Sequence, residues 1–202
     1  MVGGSGLYAD SVINGIDHFP NIKNSIKKEV NSLFEEQGID KLISILKKYD
    51  PEYYRIVDKN NSQRVIRALE VSLSSGKPFT SFFKKNKRNN LFEYKILLMT
   101  LNRNELYKKI NSRVDKMISL GLEKEAKKLY KYKNLNSLQT LGYREFFNFF
   151  DGKYNYKNAI DEIKKNTRRY AKRQITWNKK YNEAFLVNKN YKLDEIINFI
   201  NK

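Results

Sequence analysis

The chain has no cysteine and a single histidine among its 202 residues. Without cysteine it cannot form disulfides, thiol-based catalytic centres, or zinc and iron–sulfur sites that depend on thiolates. One histidine cannot build a His-based metal site, and His18, between Asp17 and Phe19, is predicted to be a loop residue rather than a catalyst. These absences exclude thiol chemistry and the usual Cys and His metal centres.

Long hydrophobic runs are also missing. No apolar stretch approaches the roughly 20 residues that span a bilayer, and the first residues are rich in glycine rather than signal-like. We therefore expect a cytoplasmic protein without a membrane partner.

A complete nucleotide-binding loop is absent as well. The motif G-x-x-x-x-G-K-[ST] does not occur, and the two Gly-Lys pairs lead into Pro78 and Tyr154. No pair of carboxylates suits acid–base catalysis, because Asp115, Glu70 and Glu145 each fall in a predicted helix beside Lys or Arg. The sequence therefore contains no self-contained catalytic centre.

Acidic residues are scarce relative to basic ones. The 40 Lys and Arg outnumber the 22 Asp and Glu and give a net charge of +18, which points to nucleic acid, anionic lipid or a phosphorylated substrate. AT-rich codon usage alone could also raise the lysine count. Because 40% of residues are apolar, with 14 Tyr and 12 Phe, the chain can still bury a core. Clustering of the charges, rather than their total, is therefore informative.

The strongest cluster lies between Lys164 and Lys180, which reads K-K-N-T-R-R-Y-A-K-R-Q-I-T-W-N-K-K. Wound as a helix, all its Lys and Arg fall on one half of the cylinder, with nothing acidic among them. The other half is an apolar seam that contains Gln174. A solvated charged helix is the alternative, but residues four apart repel one another here, and this repulsion must be offset by something negative. The pattern favours a helix packed on a core that binds a polyanion. The seam is Ile160, Ile163, Thr167, Tyr170, Ala171, Gln174, Trp177 and Tyr181.

The remaining patterns predict a helix-rich α/β protein. Apolar residues from Glu93 to Thr100 indicate a buried parallel strand, and Ala184 to Val187 a second one. Two strands cannot form a buried sheet alone, so we expect them to join strands that this chain lacks, and we expect the chain to start inside a fold. A polar hinge is expected at Lys84–Asn90. Helices are predicted at 24–36, 39–48, 52–57, 62–74 (with Asn61 or Ser62 as N-cap and Gly76 as the stop), from Asn102 or Asn104 to Leu120, and at 123–132, 144–150, 158–181 and 193–200.

Three further features suit phosphate binding. Gly3-Gly4-Ser5-Gly6, before the first turn of a helix, could present N–H groups to an anion or could be a simple turn. Lys109 and Arg113, four apart near the carboxyl end of a strand, suit a diphosphate, with a surface ion pair as the alternative. Gln63, Arg64 and Arg67 begin a helix and could contact RNA, or the arginines could pair internally with Glu70.

Five segments carry a resemblance that covers essentially the whole chain in order. They are V-G-G-S-G-L-Y, N-N-S-Q-R-V-I-R-A-L-E-V, L-Y-K-K-I-N-S-R-V-D-K-M-I-S-L-G-L, L-G-Y-R-E-F and T-R-R-Y-A-K-R-Q-I-T-W. Together they resemble the delta-2-isopentenyl pyrophosphate transferase family, whose bacterial members are tRNA dimethylallyltransferases.

The resemblance implies a P-loop-like parallel-sheet core, residues 1–20 and 91–202, with an α-helical, tRNA-contacting insertion at 21–90. It implies a nucleotide-binding, Mg²⁺-dependent monomer that transfers dimethylallyl from dimethylallyl diphosphate to the exocyclic amine of the adenosine 3′-adjacent to the tRNA anticodon. The tRNA anticodon stem-loop and dimethylallyl diphosphate are the implied partners, and the base is flipped out of its stack for reaction.

Site residues follow position by position. Ser5 stands where the family usually has Thr, and the resemblance implies that it lies near the adenine. Arg113 and Lys109 are implied to lie near the diphosphate. Lys27 stands where some members have an RNA-contacting Arg. Two further segments, Thr140–Glu145 and Lys172–Lys179, match tRNA contacts. Together with the basic helix, this gives the expected tRNA-binding set: Lys27, Gln63, Arg64, Val65, Ile66, Arg67, Thr140, Gly142, Tyr143, Arg144, Arg168, Lys172, Arg173, Gln174, Trp177 and Lys179.

The family also has a phosphate loop and an Asp general base ahead of the region that this chain matches. No counterpart occurs here, so no catalytic base or metal ligand is assigned, and the chain alone is expected to be inactive. The alternatives are a tRNA-binding fragment without chemistry and an adenylate isopentenyltransferase. The helical insertion argues against the latter, since a mononucleotide offers it nothing to hold.

Overall fold

The computed structural model describes residues 1–83 and 92–201, so the predicted hinge at Lys84–Asn90 lies outside the described residues. The chain forms two compact units, Met1–Ala9 with Phe92–Lys202, and Asp10–Leu91. The elements in chain order are α1 Gly6–Asn14, α2 Asn24–Tyr49, α3 Pro51–Ile56, α4 Ser62–Ser75, β1 Leu97–Met99, α5 Arg103–Ser119, α6 Leu122–Leu129, α7 Tyr143–Phe150, α8 Tyr156–Asn178, β2 Phe185–Val187 and α9 Leu193–Asn201. Short 3₁₀ turns occupy 79–82, 130–132 and 136–138.

The Asp10–Leu91 unit is helical, and α2 packs on α4 around a buried aliphatic core. The two helices predicted at 24–36 and 39–48 are both present within α2, because the backbone is non-helical at Gly38, whose φ of 70° suits glycine. The capping predictions for α4 are confirmed, because the Asn61 side chain accepts the Arg64 N–H and Gly76 ends the helix in the left-handed conformation.

The unit begins earlier than the predicted boundary at residue 21. The Phe19 ring stacks on Phe79 with 4.8 Å between centroids, which draws the chain before α2 into this core. His18 is exposed between α1 and α2, in a loop as predicted. The buried carboxylate of Asp50 accepts the N–H groups of Tyr53 and Thr80, both at 2.8 Å, and so joins the start of α3 to the following turn.

The other unit packs α5, α6, α7 and α8 around Val114, Phe146, Phe147 and Ile163. Each of two helix starts has a local cause: Asn102 caps α5 and Asn155 caps α8 through their side-chain oxygens. Helix α8 begins two residues earlier than predicted and ends at Asn178, so Lys179 and Lys180 follow the helix rather than belong to it.

The sheet is parallel, as predicted, with Leu97, Leu98 and Met99 paired to Phe185, Leu186 and Val187. The prediction of a strand buried on both faces is wrong. Strand β1 has only three residues, and Leu97, Met99 and Leu186 are 37%, 77% and 62% exposed. In the described residues the sheet consists of these two strands, and of their six paired residues Val187 alone is buried. No helix of the described ranges is both long and apolar enough to cross a membrane.

Candidate nucleic-acid interface

Residues 4–6, here called the Ser5 loop, lie directly on helix α8. The Gln174 side-chain amide Nε2 donates a hydrogen bond to the Gly4 carbonyl oxygen. The Ser5 carbonyl accepts the N–H groups of Tyr8 at 3.1 Å and Ala9 at 3.2 Å, so α1 starts from this loop. The structure thus brings together Ser5 and Gln174, two residues that the sequence placed in separate motifs.

This close approach leaves little room for a side chain at the glycines on either side of Ser5. A methyl group at Gly4 would lie 2.5 Å from Gln174 Nε2, and one at Gly6 would overlap the Trp177 indole, with Cγ at 2.7 Å. A methyl group at Gly3 would meet nothing within 4 Å. Neither Gly4 nor Gly6 has a positive φ, so packing on α8, rather than backbone conformation, explains them.

Beside the loop, α8 forms an open groove of about 640 Å³ lined by Lys172, Arg173, Thr176, Trp177 and Lys180. The Lys180 ammonium lies 4.2 Å from the Trp177 ring centroid. Cations next to an aromatic ring are the usual means of binding an unpaired nucleic-acid strand. The groove therefore has the chemistry expected of a surface that meets RNA.

The seam of α8 is buried over only part of its length. Ala159, Ile163 and Ala171 are buried as predicted, whereas Tyr170 and Trp177 are 40% and 39% exposed. Packing by the core helices covers the seam near the start of α8, while near its end Trp177 meets Gly6 of the Ser5 loop. The prediction of a continuous core-facing seam is wrong for this second part.

The basic face of α8 also divides into two parts. Lys164 Nζ lies 2.5 Å from Asp115 Oδ1 of α5, and Lys165 Nζ lies 2.7 Å from Glu162 Oε1. Arg168 donates to Asn111 Oδ1 at 2.8 Å. Within the described residues, the side chains of Lys172 and Lys179 have no ion pair or hydrogen bond. In the described residues, Asp115 and Glu162 thus supply the expected offsetting negative charge near the start of the helix.

Glu145 organises the segment at 140–145 from inside. This buried carboxylate accepts the Gly142 N–H at 2.8 Å, Asn166 Nδ2 at 2.9 Å and Arg144 Nη2 at 3.3 Å. Gly142 is buried with its N–H already bonded, so the expectation that it contacts tRNA is not met by this structure. Thr140 and Arg144 are exposed.

Tyr143, in the same segment, is half-buried and donates its hydroxyl proton to Glu125. That hydrogen bond is the main cause that raises the pKa of Tyr143 above its ordinary value. The hydroxyl is therefore engaged within the protein, and only part of the ring is accessible.

In the Asp10–Leu91 unit, the predicted RNA-binding residues also fall into two groups. Lys27, Gln63 and Arg64 are exposed. Val65 is fully buried and Ile66 packs against the same core, so these two side chains stabilise the unit instead of facing RNA. A helix packed on a core buries one side and exposes the other, so a continuous sequence motif includes both buried and exposed residues.

Arg67 matches the alternative interpretation. Its guanidinium lies 3.8 Å from Glu70, one turn along α4, and 5.7 Å from the Phe19 ring centroid. The internal pairing with Glu70 that the sequence left open is therefore present for this arginine.

Lys109 and Arg113 are exposed and share one face of α5, as predicted. That face is roughly 160° around the helix from Asn111, which contacts α8, so they do not join the α8 groove. Arg113 also follows the start of α5 by about 15 Å along the axis, so the predicted position near the strand end is wrong for it. Asp115 pairs with Lys164 and not with Arg113, in agreement with the expected poor i,i+2 geometry.

The described residues contain no group of three or more His, Cys, Asp or Glu side chains placed to hold a metal ion. They therefore do not fit a magnesium site on their own, and we assign no ligand.

Sequence patterns missed the contacts that hold these segments together. Glu145 had a local signal, since it is the third residue after Gly142 at a helix start, the position from which a Glu side chain reaches back to accept the N-cap N–H. The Gln174 bond to Gly4 and the Arg168 bond to Asn111 join residues 170 and 57 positions apart, and no local pattern reports them.

These features define a helix-rich α/β protein whose glycine loop is seated on a cationic helix. The chain belongs to the IPP transferase family, whose model matches residues 1–181. The resemblance found in the motifs is thereby confirmed.

The chain is also similar in sequence to curated proteins named tRNA dimethylallyltransferase. The chain is 49% identical over 180 residues to a tRNA dimethylallyltransferase of Christiangramia forsetii, covering 89% of this chain and 60% of that protein. It is 47% identical over 207 residues to the tRNA dimethylallyltransferase of Flavobacterium psychrophilum, covering 100% of this chain and 67% of that protein. The chain thus spans about three fifths to two thirds of the length of these relatives.

Solved structures agree. A full-length tRNA isopentenylpyrophosphate transferase from Bacillus halodurans matches with a TM-score of 0.58 and 33% identity, over 97% of this chain and 63% of that one. A eukaryotic dimethylallyltransferase acting on tRNA matches with a TM-score of 0.71 and 25% identity, over 92% of this chain and 50% of that one. The helix-rich α/β fold with a parallel sheet is shared with both.

Proposed function

We propose that this chain serves as part of a tRNA dimethylallyltransferase acting on the anticodon stem-loop. The reaction joins the dimethylallyl group of dimethylallyl diphosphate to the exocyclic amine of the adenosine 3′-adjacent to the anticodon, and releases pyrophosphate and the amine proton. The observation that carries the proposal is the Ser5 loop, held by Gln174 beside a groove lined by Lys172 and Arg173. Family membership supports the same assignment.

The proposed roles follow from the chemistry of each surface. Lys172, Arg173 and Lys179 attract the RNA backbone, because cations that neutralise phosphates supply most of the sequence-independent affinity. The Ser5 hydroxyl can donate to or accept from the edge of a flipped adenine. In the Asp10–Leu91 unit, Lys27, Gln63 and Arg64 provide a second polar surface for the same RNA.

The match of the segment 106–122 to the family is what supports our proposal that Arg113 and Lys109, on a face of α5 that does not join the α8 groove, neutralise the diphosphate. Charge develops on the leaving pyrophosphate as its bond to dimethylallyl breaks, and fixed cations stabilise that charge. Magnesium would supply further positive charge to the same group. The described residues do not fit a metal site, so none of them is assigned to hold it.

A second candidate is a tRNA-binding protein without transfer chemistry. It is favoured by the engagement in ion pairs of Asp115, Glu145 and Glu70, the three carboxylates considered from the sequence as possible bases. An adenylate isopentenyltransferase is disfavoured, because the helical unit would have no ligand.

Binding and transfer are tested separately. Labelled anticodon stem-loop RNA is titrated with the chain, with AMP as competitor, and we expect unlabelled stem-loop but not AMP to displace it. Transfer of label from dimethylallyl diphosphate is then assayed with the chain alone and with the chain joined to the N-terminal segment of the Flavobacterium psychrophilum relative.

Transfer by the joined protein supports the transferase assignment. RNA binding without transfer in either form supports the second candidate. Competition by AMP at the same concentration as stem-loop would contradict a tRNA substrate, and transfer by the chain alone would contradict the expectation that its catalytic base is missing.

A further inference from the structure

We propose that Gln174 and Trp177 are positioning residues, which seat the Ser5 loop on α8 and thereby hold the Ser5 hydroxyl where an RNA base can reach it. The family resemblance implied that both residues contact tRNA. The packing gives them a further task, directed at the protein's own loop. The part of this inference that concerns RNA rests on the proposed function.

The first contact is polar. Gln174 is flanked on α8 by residues that present charge or apolar surface, and its amide reaches the Gly4 carbonyl oxygen across the chain. A carbonyl next to a cationic groove would otherwise draw a lysine or arginine to itself. The neutral amide holds the loop and leaves Lys172 and Arg173 available for phosphate.

The second contact is steric. Gly6 lies against the Trp177 indole so closely that even one methyl group would overlap it. Because Gly6 is the first residue of α1, alanine there would suit the helix, and any loss on substitution comes from contact with the indole. Gly4 and Gly6 flank Ser5 on both sides, so the two contacts together fix its backbone.

The contacts of Gln174 with Gly4 and of Trp177 with Gly6, here called the seat, lie on the same turns of α8 as the groove. Arg173 and Trp177 are four apart and therefore neighbours on the helix surface. RNA phosphates drawn to the groove consequently arrive beside Ser5, and the position of the loop sets how well a base meets its hydroxyl. We expect disturbance of the seat to change the handling of the base more than the affinity for RNA.

The chain offers a direct reporter of the seat, because Trp177 is its only tryptophan. Tryptophan emission and acrylamide quenching of the purified full chain are measured for Gly6→Ala, Gln174→Met and Gly3→Ala, with circular dichroism to confirm that each variant is folded. Gln174→Met keeps the length of the side chain and removes its donor without adding charge.

In Gly6→Ala and Gln174→Met we expect a red-shifted emission and about twofold or more stronger quenching, since the indole loses its cover. Gly3→Ala, which meets no neighbour, is the matched control and should resemble the unmodified chain. Unchanged emission and quenching in both seat variants would overturn the inference, and this test requires no RNA.

A second measurement uses an anticodon stem-loop with 2-aminopurine in place of the adenosine after the anticodon. At saturation we expect Gln174→Met to lower the fluorescence change of the flipped base several-fold while the dissociation constant changes less than about threefold. Lys172→Met should do the opposite, with weaker binding but the same plateau. If Gln174→Met behaves as Lys172→Met does, Gln174 is an RNA contact and the positioning role is wrong. Absence of any stem-loop binding by the unmodified chain would count against the proposed function. The tryptophan measurement would still decide whether Gln174 and Trp177 hold the Ser5 loop.

Discussion

The two parts of the basic face that runs along α8 and just past its end both consist of Lys and Arg, but their surroundings differ. Lys164, Lys165 and Arg168 each have a partner within the protein, supplied by Asp115, Glu162 and Asn111. Lys172 and Lys179, further along the chain, have none in the described residues. A run of like charges in a sequence can therefore be half structural, because only three-dimensional neighbours decide which cations are available to a ligand.

Most partners of the first part come from elements that pack on α8. Helix α5 supplies Asp115 and Asn111, and α7 supplies Glu145, which accepts Asn166 of α8. The second part of α8 contacts the Ser5 loop, through Gln174 and Trp177. We infer that the first part fixes α8 in the fold and the second part serves the ligand.

The largest effect is expected from Glu145→Ala. It removes a buried carboxylate and leaves the Gly142 N–H and the Asn166 amide without their acceptor, which costs about 2–4 kcal/mol of the free energy of unfolding. Urea unfolding measures this loss. Glu183→Ala, at an exposed position outside the helices, is the control, and a Glu145→Ala chain as stable as this control would contradict the structural role.

An intermediate effect is expected from Arg168→Met. The variant loses the hydrogen bond to Asn111 and the cation–π interaction with the Tyr107 ring, which we expect to lower the free energy of unfolding by about 1–2 kcal/mol. Lys172→Met, one turn away, should change stability by less than about 0.5 kcal/mol. Equal losses in the two variants would remove the distinction between the parts of the helix.

The smallest effect is expected from Lys165→Met. Its ion pair with Glu162 is half-exposed and lies within one helix. The free energy of unfolding, measured by thermal unfolding, should therefore change by less than about 0.5 kcal/mol. The change should vanish in 0.5 M salt, which screens the pair in the unmodified chain too. A loss above about 1 kcal/mol would show that this pair contributes more to α8 than its exposure allows.

Much of the fold could be predicted from the sequence, and the reasons are local. Asn61, Gly76, Asn102 and Gly121 mark helix ends through caps and left-handed glycines, and the structure has helices at nearly the predicted bounds. The prediction that β1 is buried was wrong, because apolar residues at 93–100 indicate burial only where other strands cover them.

The candidate site was predicted in its residue types and not in its assembly. Ser5 and the end of α8 were both singled out, but the Gly4 to Gln174 bond connects positions with no common sequence pattern. Val65 and Gly142 were included because a motif is read as a continuous segment, whereas a helix buries one side and a turn buries its glycine. The partners of Lys164 and Arg168 come from α5, and sequence periodicity does not report such pairing.

The most direct test compares matched pairs of substitutions on the two parts of α8. Stem-loop affinity is measured from 50 to 300 mM KCl for Lys172→Met with Arg173→Met, and for Lys164→Met with Lys165→Met. Both doubles remove two charges from the same helix, so the net charge of the protein is the same in each.

We expect the first double to lower the magnitude of the log–log salt slope by about 1.4, close to 0.7 for each single-strand phosphate that is no longer neutralised, and affinity by about 100-fold at the lowest salt. The second double should keep the slope of the unmodified chain and change affinity less than about threefold. Equal slopes and equal losses in the two doubles would mean that net charge alone governs binding, and would contradict the division of α8 into a structural part and a ligand-facing part.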